Sequence, residues 1–332
     1  MTYLRTAVAL GLGASVMLLP PSVAHAAATC QGRAATIEAS AGTVEGTSLA
    51  DVIIASGTVT RVDGGDGDDV ICLVRTRKSL SVDPGPGGDV VDASRAGAKV
   101  NADLGPGADR YLGSEHADEV TVGLEGDTGA DEVSTGAGKD LLELEPGAVV
   151  DARLGPGADK LSFDTTYAGP DSVFDLGAGR DVIYVEDRYD DVADPGETSL
   201  VVDMVEGRFT WRDVTSVLRG ADDTYAVARR IDIRGNDKPN AFFSFGCDVT
   251  FRGGGGDDST LMKTIGILDT QPFECHDGEV RRAYGNRGDD TLRGGRSHDV
   301  LVGGPGRDRA HGGPGGDDVC IAEIVAGKGC LA

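Results

Sequence analysis

Aspartate and glycine recur at a fixed spacing in the C-terminal part of this 332-residue chain. Residues 285–320 form four nine-residue units without a gap: GNRGDDTLR, GGRSHDVLV, GGPGRDRAH and GGPGGDDVC. Each unit has a glycine-rich first half, an aspartate at its sixth position and Leu, Ala or Val at its eighth. Hard divalent cations prefer carboxylate oxygens, and glycine-rich turns expose backbone carbonyl oxygens beside them. The spacing therefore predicts cation sites in the turns.

The same turn recurs through the rest of the chain. Residues 64–72, GGDGDDVIC, fit the unit fully, and the shorter pattern Gly-x-Asp returns at steps of about 20 residues. Residues 46–54, 113–121 and 235–243 are degenerate members. The candidate metal ligands are the aspartates of the better-matched turns: Asp69, Asp89, Asp109, Asp131, Asp140, Asp159, Asp181, Asp258, Asp290, Asp299, Asp308 and Asp317.

These turns must be positioned by short strands. The three residues after each turn alternate like a strand whose middle side chain points inward, and two units make one coil. Stacked coils bond in parallel register and bury a narrow column of Val, Ile and Leu. We predict an all-β fold, a parallel β-roll or β-solenoid of roughly fourteen coils. Asp290 should then face Asp308, and Asp299 should face Asp317 on the opposite side of the rod.

Stacking the turns brings like charges together. Two carboxylates about 5 Å apart repel by roughly 0.8 kcal/mol in water and by about 3 kcal/mol at an effective dielectric of 20. A divalent cation between adjacent turns converts this repulsion into attraction. Calcium fits better than magnesium, because its coordination is longer and more flexible, and better than zinc, because the motif lacks sulfur and imidazole. We therefore expect several bound calcium ions.

Composition supports this interpretation of the aspartates. The chain has 41 Asp against 14 Glu, 51 Gly and a net charge of -24, whereas a generic acidic surface would use Glu as readily. An acidic chain with 5 % aromatic residues is a poor partner for nucleic acid or an anionic membrane. The 39 % hydrophobic content, largely Val, Leu, Ile and Ala, argues against disorder.

The N-terminus has the features of an export signal. Arg5 supplies the positive charge, residues 6–19 the apolar stretch, and Ala24-His25-Ala26 the cleavage site. We expect a secreted, extracellular protein cleaved near Ala26, without a membrane span. Six further cysteines in an exported chain predict disulfides, although six allow 15 connectivities. Nearest-neighbour pairing is our prediction: Cys30 with Cys72, Cys247 with Cys275 and Cys320 with Cys330.

The tandem units and GGDGDDVIC resemble the hemolysin-type (RTX) calcium-binding nonapeptide repeat. The resemblance implies a parallel β-roll with calcium in its turns that folds after export. The segments CQGRAATI at 30–37 and CIAEIVAGKGC at 320–330 also resemble the ends of exported actinobacterial proteins of this kind. By analogy with other extracellular modules, each site should be weak, with a Kd of about 10⁻⁴–10⁻³ M.

The repeats divide the chain into five segments. They are a signal peptide (1–26), an N-terminal solenoid of degenerate repeats (27–185), an irregular or degenerate-coil segment (186–234), a C-terminal solenoid (235–320) and a disulfide-closed tail (321–332). The middle segment barely shows the repeat. For Val214, Val217 and Leu218, a short helix and an inward strand both remain open.

Three functions remain open. We expect a calcium-binding protein that is not an enzyme, since the chain has neither HExxH nor GxSxG. A surface or matrix adhesin that uses the rod to contact cell-wall or matrix glycans is the first alternative. The second is a carbohydrate-active β-helix, with a groove of acids and aromatics between Tyr184 and Trp211. That enzyme would use paired acids such as Asp190-Asp191 or Asp222-Asp223.

Overall fold

The computed structural model describes residues 28–331, except 124–126, 128, 146, 165–170, 187–198, 212–213, 264–278, 297, 315–316 and 327–329. All regular elements within these residues are β-strands. In chain order they are β1 Thr29–Cys30, β2 Arg33–Ala34, β3 Ile37–Thr47, β4 Val52–Gly65, β5 Val70–Thr76, β6 Leu80–Asp83, β7 Val90–Arg95, β8 Val100–Asp103, β9 Arg110–Leu112, β10 Glu119–Val122, β11 Ala130–Ser134, β12 Leu141–Leu144, β13 Val149–Arg153, β14 Pro156–Gly157, β15 Lys160–Asp164, β16 Val173–Asp175, β17 Ala178–Gly179, β18 Asp181–Glu186, β19 Ser199–Asp203, β20 Arg208–Trp211, β21 Val214–Arg219, β22 Ala221–Val227, β23 Arg230–Arg234, β24 Ala241–Phe245, β25 Asp248–Gly255, β26 Ser259–Lys263, β27 Arg281–Arg287, β28 Thr291–Arg293, β29 Asp299–Val302, β30 Arg309–His311, β31 Asp318–Ile321, β32 Ile324–Val325 and β33 Cys330–Leu331.

The strands form two parallel stacks joined by turns, which confirms the predicted β-solenoid. Stack A runs from the first part of β4 through β5, β7, β9, β11, β13 and β16, and resumes as β23, β25, β27, β29, β31 and β33. Stack B runs from the last part of β4 through β6, β8, β10, β12, β15, β18, β22, β24, β26, β28, β30 and β32. The last part of β3 pairs in parallel with the last part of β4, so stack B has fourteen levels within the described residues, in agreement with the roughly fourteen coils expected.

The core is a narrow column between the two stacks. Strand alternation sends every second side chain inward, so residues at matching levels stack upon one another. Ile71, Val91 and Tyr111 follow this rule in stack A, and each is at most 1 % exposed. The eighth-position residues Leu292 and Leu301 of the tandem units are also fully buried. A single coil could bury little, so the stack stabilises itself only as a whole.

The middle of the chain interrupts stack A with an antiparallel meander. There β16 pairs with β21, β21 with β20, β20 with β19, and β19 then pairs with β23. Val214, Val217 and Leu218 thus lie on a strand, with Leu218 buried and Val217 36 % exposed. The helix alternative for these three residues is wrong.

Disulfides lie near both ends of the rod. Cys30, on the small antiparallel pair β1–β2, is bonded to Cys72, and Cys320 is bonded to Cys330, as predicted. Cys247 is also disulfide-bonded, but its predicted partner Cys275 lies outside the described residues. Within the described part of the chain, no helix is long and apolar enough to cross a membrane.

Candidate metal sites in the turns

The turn aspartates form buried columns at the starts of the strands. Column A lies at the starts of the strands in the N-terminal half of stack A. It contains Asp51, Asp69, Asp89, Asp109 and Asp131. Column B lies on stack B and contains Asp118, Asp140, Asp159, Asp181, Asp222, Asn240, Asp258, Asp290 and Asp308. Asp299 and Asp318 form a separate pair near the C-terminal end of stack A. Of the twelve predicted ligands, all but Asp317 are buried in these positions.

A hydrogen-bond ladder connects successive aspartates. In most of these positions the backbone N–H donates to a carboxylate oxygen one coil further along, as from Asp69 to Asp89 at 2.7 Å. In column B the N–H of Asp290 donates to Oδ1 of Asp308 at 2.9 Å, so these two residues meet as predicted. The ladder satisfies one oxygen of each carboxylate and holds the columns in register.

The second oxygen is left without a donor in most turns. Eleven Oδ2 atoms are buried and accept no hydrogen bond from the described residues: those of Asp69, Asp89, Asp109, Asp131, Asp140, Asp159, Asp181, Asp258, Asp290, Asp308 and Asp318. We call the turns that contain these eleven atoms open turns. A buried carboxylate oxygen without a partner carries a large desolvation penalty, so each of these atoms requires a cation or a proton.

Four turns satisfy the same atom internally, and we call them closed turns. In three of them, the backbone N–H four residues earlier donates to Oδ2: Thr47 to Asp51 at 2.8 Å, Ser114 to Asp118 at 3.0 Å and Gly295 to Asp299 at 2.7 Å. The fourth uses Asn240, whose Oδ1 accepts from Asn236 at 3.1 Å. In a closed turn this oxygen already accepts a hydrogen bond and does not require a cation.

Backbone carbonyl oxygens converge near the open carboxylates. A Cβ added at Gly87 would overlap the carbonyl oxygen of Gly67 and stand 3.1 Å from Oδ1 of Asp89. At Gly107 it would overlap the carbonyl of Gly87 and stand 3.4 Å from Oδ1 of Asp109. Only glycine leaves this oxygen-rich space empty. Among the described residues, no cluster of three or more His, Cys, Asp or Glu side chains could hold a metal, so carbonyl oxygens must complete any site.

Burial makes the open carboxylates hard to ionise without a cation. Desolvation, followed by the charge of neighbouring aspartates, raises the pKa of Asp69 to about 6, of Asp89 to about 7 and of Asp109 to about 8. Desolvation likewise raises the pKa of Asp258 to about 7 and of Asp290 to about 6. The donor set, its burial and its need for positive charge all fit calcium.

These pKa values predict that the metal-free protein loses stability as the pH rises. Between the unfolded value of about 3.9 and the folded values, the native state holds more protons than the unfolded chain. This contribution to stability should therefore be greatest below about pH 4 and fall progressively to about pH 8. The measurement is urea unfolding at pH 5 and pH 8 of protein from which calcium and chelator have been removed by gel filtration. Calcium is removed beforehand because chelators bind it more weakly in acid. An unchanged or higher midpoint at pH 8 would contradict the raised pKa values.

Asp317 does not face Asp299 as predicted, because the last tandem unit is shifted by one residue. Asp317 is exposed and takes a left-handed conformation with φ of 66°. The following residue, Asp318, is buried and accepts the N–H of Asp299 at 3.0 Å. The shift also turns Val319 outward and places Cys320 opposite the inward Leu301. The extra turn residue has reversed the alternation of the strand.

Several members of the columns are not among the predicted ligands. Asp51, Asp118 and Asn240 are the sixth residues of the degenerate units 46–54, 113–121 and 235–243, so position within the unit is the signal that finds them. Glu323, whose Oε2 accepts the N–H of Asp308 at 2.8 Å, ends column B outside any repeat unit. No repeat signal marks it.

The acid pair proposed for a carbohydrate-active site is engaged in structural contacts. Asp222 is buried and accepts from Lys238 Nζ at 2.9 Å and from the N–H of Asp181. Asp223 accepts from Arg180 Nε and from the N–H of Ala241, both at 2.7 Å. Trp211 is 4 % exposed and packs in the hydrophobic core, so its ring is not presented at the surface as the predicted groove requires, and residues 187–198 of that stretch lie outside the described residues. The other acid pair, 190–191, lies outside the described residues.

The fold and these turns define a class: parallel solenoids with glycine–aspartate turns whose oxygen atoms suit a metal ion. A family model described as the RTX calcium-binding nonapeptide repeat matches this chain in four copies, over residues 124–148 and 284–319. The chain therefore carries RTX calcium-binding repeats, which confirms the resemblance to this repeat, and repeats of this kind imply calcium as the cation. No curated protein matches the chain.

Proposed function

We propose that this protein is exported and folds outside the cell as calcium enters its open turns, forming a rod with a structural or surface-interaction role and no catalytic activity. The observation that supports this most directly is the set of eleven buried Oδ2 atoms without a donor. The N-terminal export signal supports the location.

Each open turn would hold calcium with its own residues. The aspartate Oδ2 supplies charge, and backbone carbonyl oxygens of the glycine-rich turns supply neutral ligands. In the turn of Asp69, a Cβ added at Gly64 would meet both Oδ2 of Asp69 and the carbonyl oxygen of Pro84. Calcium neutralises the stacked carboxylates and links adjacent coils. Because the ligands converge only in the stacked form, the binding free energy becomes folding free energy.

Calcium titration tests this function. The mature chain, residues 27–332, should show little β signal by circular dichroism at pH 8 in excess chelator, and should gain it cooperatively as calcium rises through about 10⁻⁴–10⁻³ M. Magnesium at the same concentrations is the control and should be much less effective. Reduced and oxidised samples separate the contribution of the disulfides. A full β signal in chelator under reducing conditions would contradict calcium-dependent folding.

A second candidate is a scaffold that contacts glycans through an exposed aromatic strip. Tyr184, Tyr225 and Phe243 stack on successive levels of stack B, with ring centroids 4.3 and 4.8 Å apart, and all three are partly exposed. Tyr225 and Phe243 also line a surface cavity of ≈ 570 Å³ that contains Asp223 and Arg293. If this strip contacts glycans, cell-wall polysaccharide should retain the protein at millimolar calcium, and Tyr225→Ala should reduce the retention. Equal retention of both proteins would refute the strip's role.

A further inference from the structure

Three arginines line one cavity at a corner of the solenoid. We call this site the arginine corner: Arg75 lies at the end of β5, Arg77 directly follows that strand, and Arg95 ends β7 on the next coil. The cavity measures ≈ 690 Å³, and its other lining residues are Thr76, Ser94, Ala96, Gly97 and Glu115. It lies apart from the aspartate columns, which are at the opposite ends of these strands.

The positive charge of the arginine corner is not neutralised by the protein. All three side chains are exposed, and no carboxylate of the described residues lies within 4.0 Å of their guanidinium groups. Glu115, the one acidic residue of the lining, forms no ion pair with them. By contrast, Arg110 and Arg153 on stack A both pair with Glu132. In a chain of net charge -24, a concave cluster of uncompensated arginines is a local exception.

The backbone holds the corner in one shape. Arg75 has a φ of 52°, a left-handed conformation that a branched or long side chain rarely adopts. The N–H of Gly97 donates to Oγ1 of Thr76 at 3.1 Å, and the N–H of Arg77 donates to the carbonyl of Gly57 at 2.7 Å. These bonds tie the two loops to each other and to the preceding coil. Strained residues held by their surroundings occur preferentially at binding sites.

We propose that the arginine corner binds a small ligand carrying tetrahedral oxyanion groups, that is, sulfate or phosphate esters on a saccharide of one or two rings. Arginine forks recognise such groups through paired hydrogen bonds, and three forks can engage more than one group. The cavity volume lies within the range of about 300–1,000 Å³ that is typical of small-molecule sites. The site contains none of the open turns, so this proposal does not depend on the proposed function.

Isothermal titration calorimetry of the calcium-saturated mature protein tests this proposal. The probes are a trisulfated disaccharide, a sugar phosphate, inorganic sulfate and the same disaccharide without sulfate. The trisulfated disaccharide should bind and the uncharged one should not. Binding of the sugar phosphate as well would assign the site to both ester types, whereas its failure to bind would restrict the site to sulfate esters. Competition by inorganic sulfate would show that the oxyanion itself is recognised.

Two double variants with the same change of charge locate the site. Arg75→Gln with Arg95→Gln should weaken binding at least about tenfold, because each removes a charged hydrogen-bonding fork. Arg110→Gln with Arg153→Gln, which leaves the corner intact, should bind like the wild type. Circular dichroism confirms that both variants fold with calcium. No binding by the wild type, or equal weakening in both variants, would overturn the proposal.

Discussion

Replacing Arg281 by glutamine should lower the free energy of unfolding by about 3–5 kcal/mol, because it leaves the carboxylate of Asp299 buried without its counter-charge. Nε of Arg281 donates to Oδ1 of Asp299 at 2.8 Å, and the two side chains are 1 % and 0 % exposed. Arg281 pairs in register with Asp299 from the preceding coil. It occupies a position that an aspartate holds at other levels of stack A. The protein thus supplies, from its own chain, the positive charge that open turns lack.

The measurement is urea unfolding in saturating calcium at pH 8. Burial raises the pKa of Asp299 to about 6, so the carboxyl is ionised there in the wild type. The matched control is Arg282→Gln, since Arg282 makes an exposed pair with Asp248 that contributes about 0–1 kcal/mol. Adding Asp299→Asn to Arg281→Gln should recover much of the loss, because it removes the uncompensated charge. Equal stability of the two single variants would contradict the role of the pair.

Asp290→Asn should remove calcium from an open turn and raise the calcium concentration at the folding midpoint at least about tenfold, equivalent to about 1.4 kcal/mol. Asparagine fits this place sterically, because Asn240 occupies the same position in column B and its N–H donates to Asp258. The substitution therefore changes the charge of Oδ2 more than the shape of the turn. Calcium bound per chain, measured by equilibrium dialysis, should fall together with the shift in midpoint.

The neighbouring aspartate provides a matched control for this variant. Asp289 is exposed, and its carboxylate accepts the N–H of Arg307 at 2.9 Å. Asp289→Asn removes the same charge from the same turn but leaves the buried oxygen in place. Its calcium stoichiometry should match the wild type. If both variants lost the same amount of calcium, general acidity rather than the buried column would bind the ion.

The consensus units predicted the architecture well. The nine-residue period placed Asp290 and Asp308 one above the other and turned Leu292 and Leu301 inward, because turn geometry and strand alternation are local properties of the chain. The last unit shows the limit of the same reasoning. Its consecutive aspartates allow two frames, and the left-handed Asp317 selects the frame that buries Asp318.

The state of a turn is not given by the aspartate spacing alone. The unit of Asp290 has Gly288 at its fourth position and its Oδ2 atom has no donor, whereas the unit of Asp299 has Ser297 there and its Oδ2 atom accepts the N–H of Gly295. Arg281 reaches Asp299 only because the solenoid brings residues 18 positions apart into contact. The antiparallel meander between β16 and β23 likewise depends on pairings between distant segments.

By itself, the sequence determined the period, the inward and outward faces of the strands and the calcium chemistry of the turns, since all three follow from residue types at fixed local spacing. The tertiary structure alone decided that the carboxylate of Asp299 is neutralised by an arginine from the preceding coil. The physical reason is that an ionised oxygen in the core is stabilised only by a donor or cation within about 3 Å. Which group lies at that distance depends on how neighbouring coils are stacked.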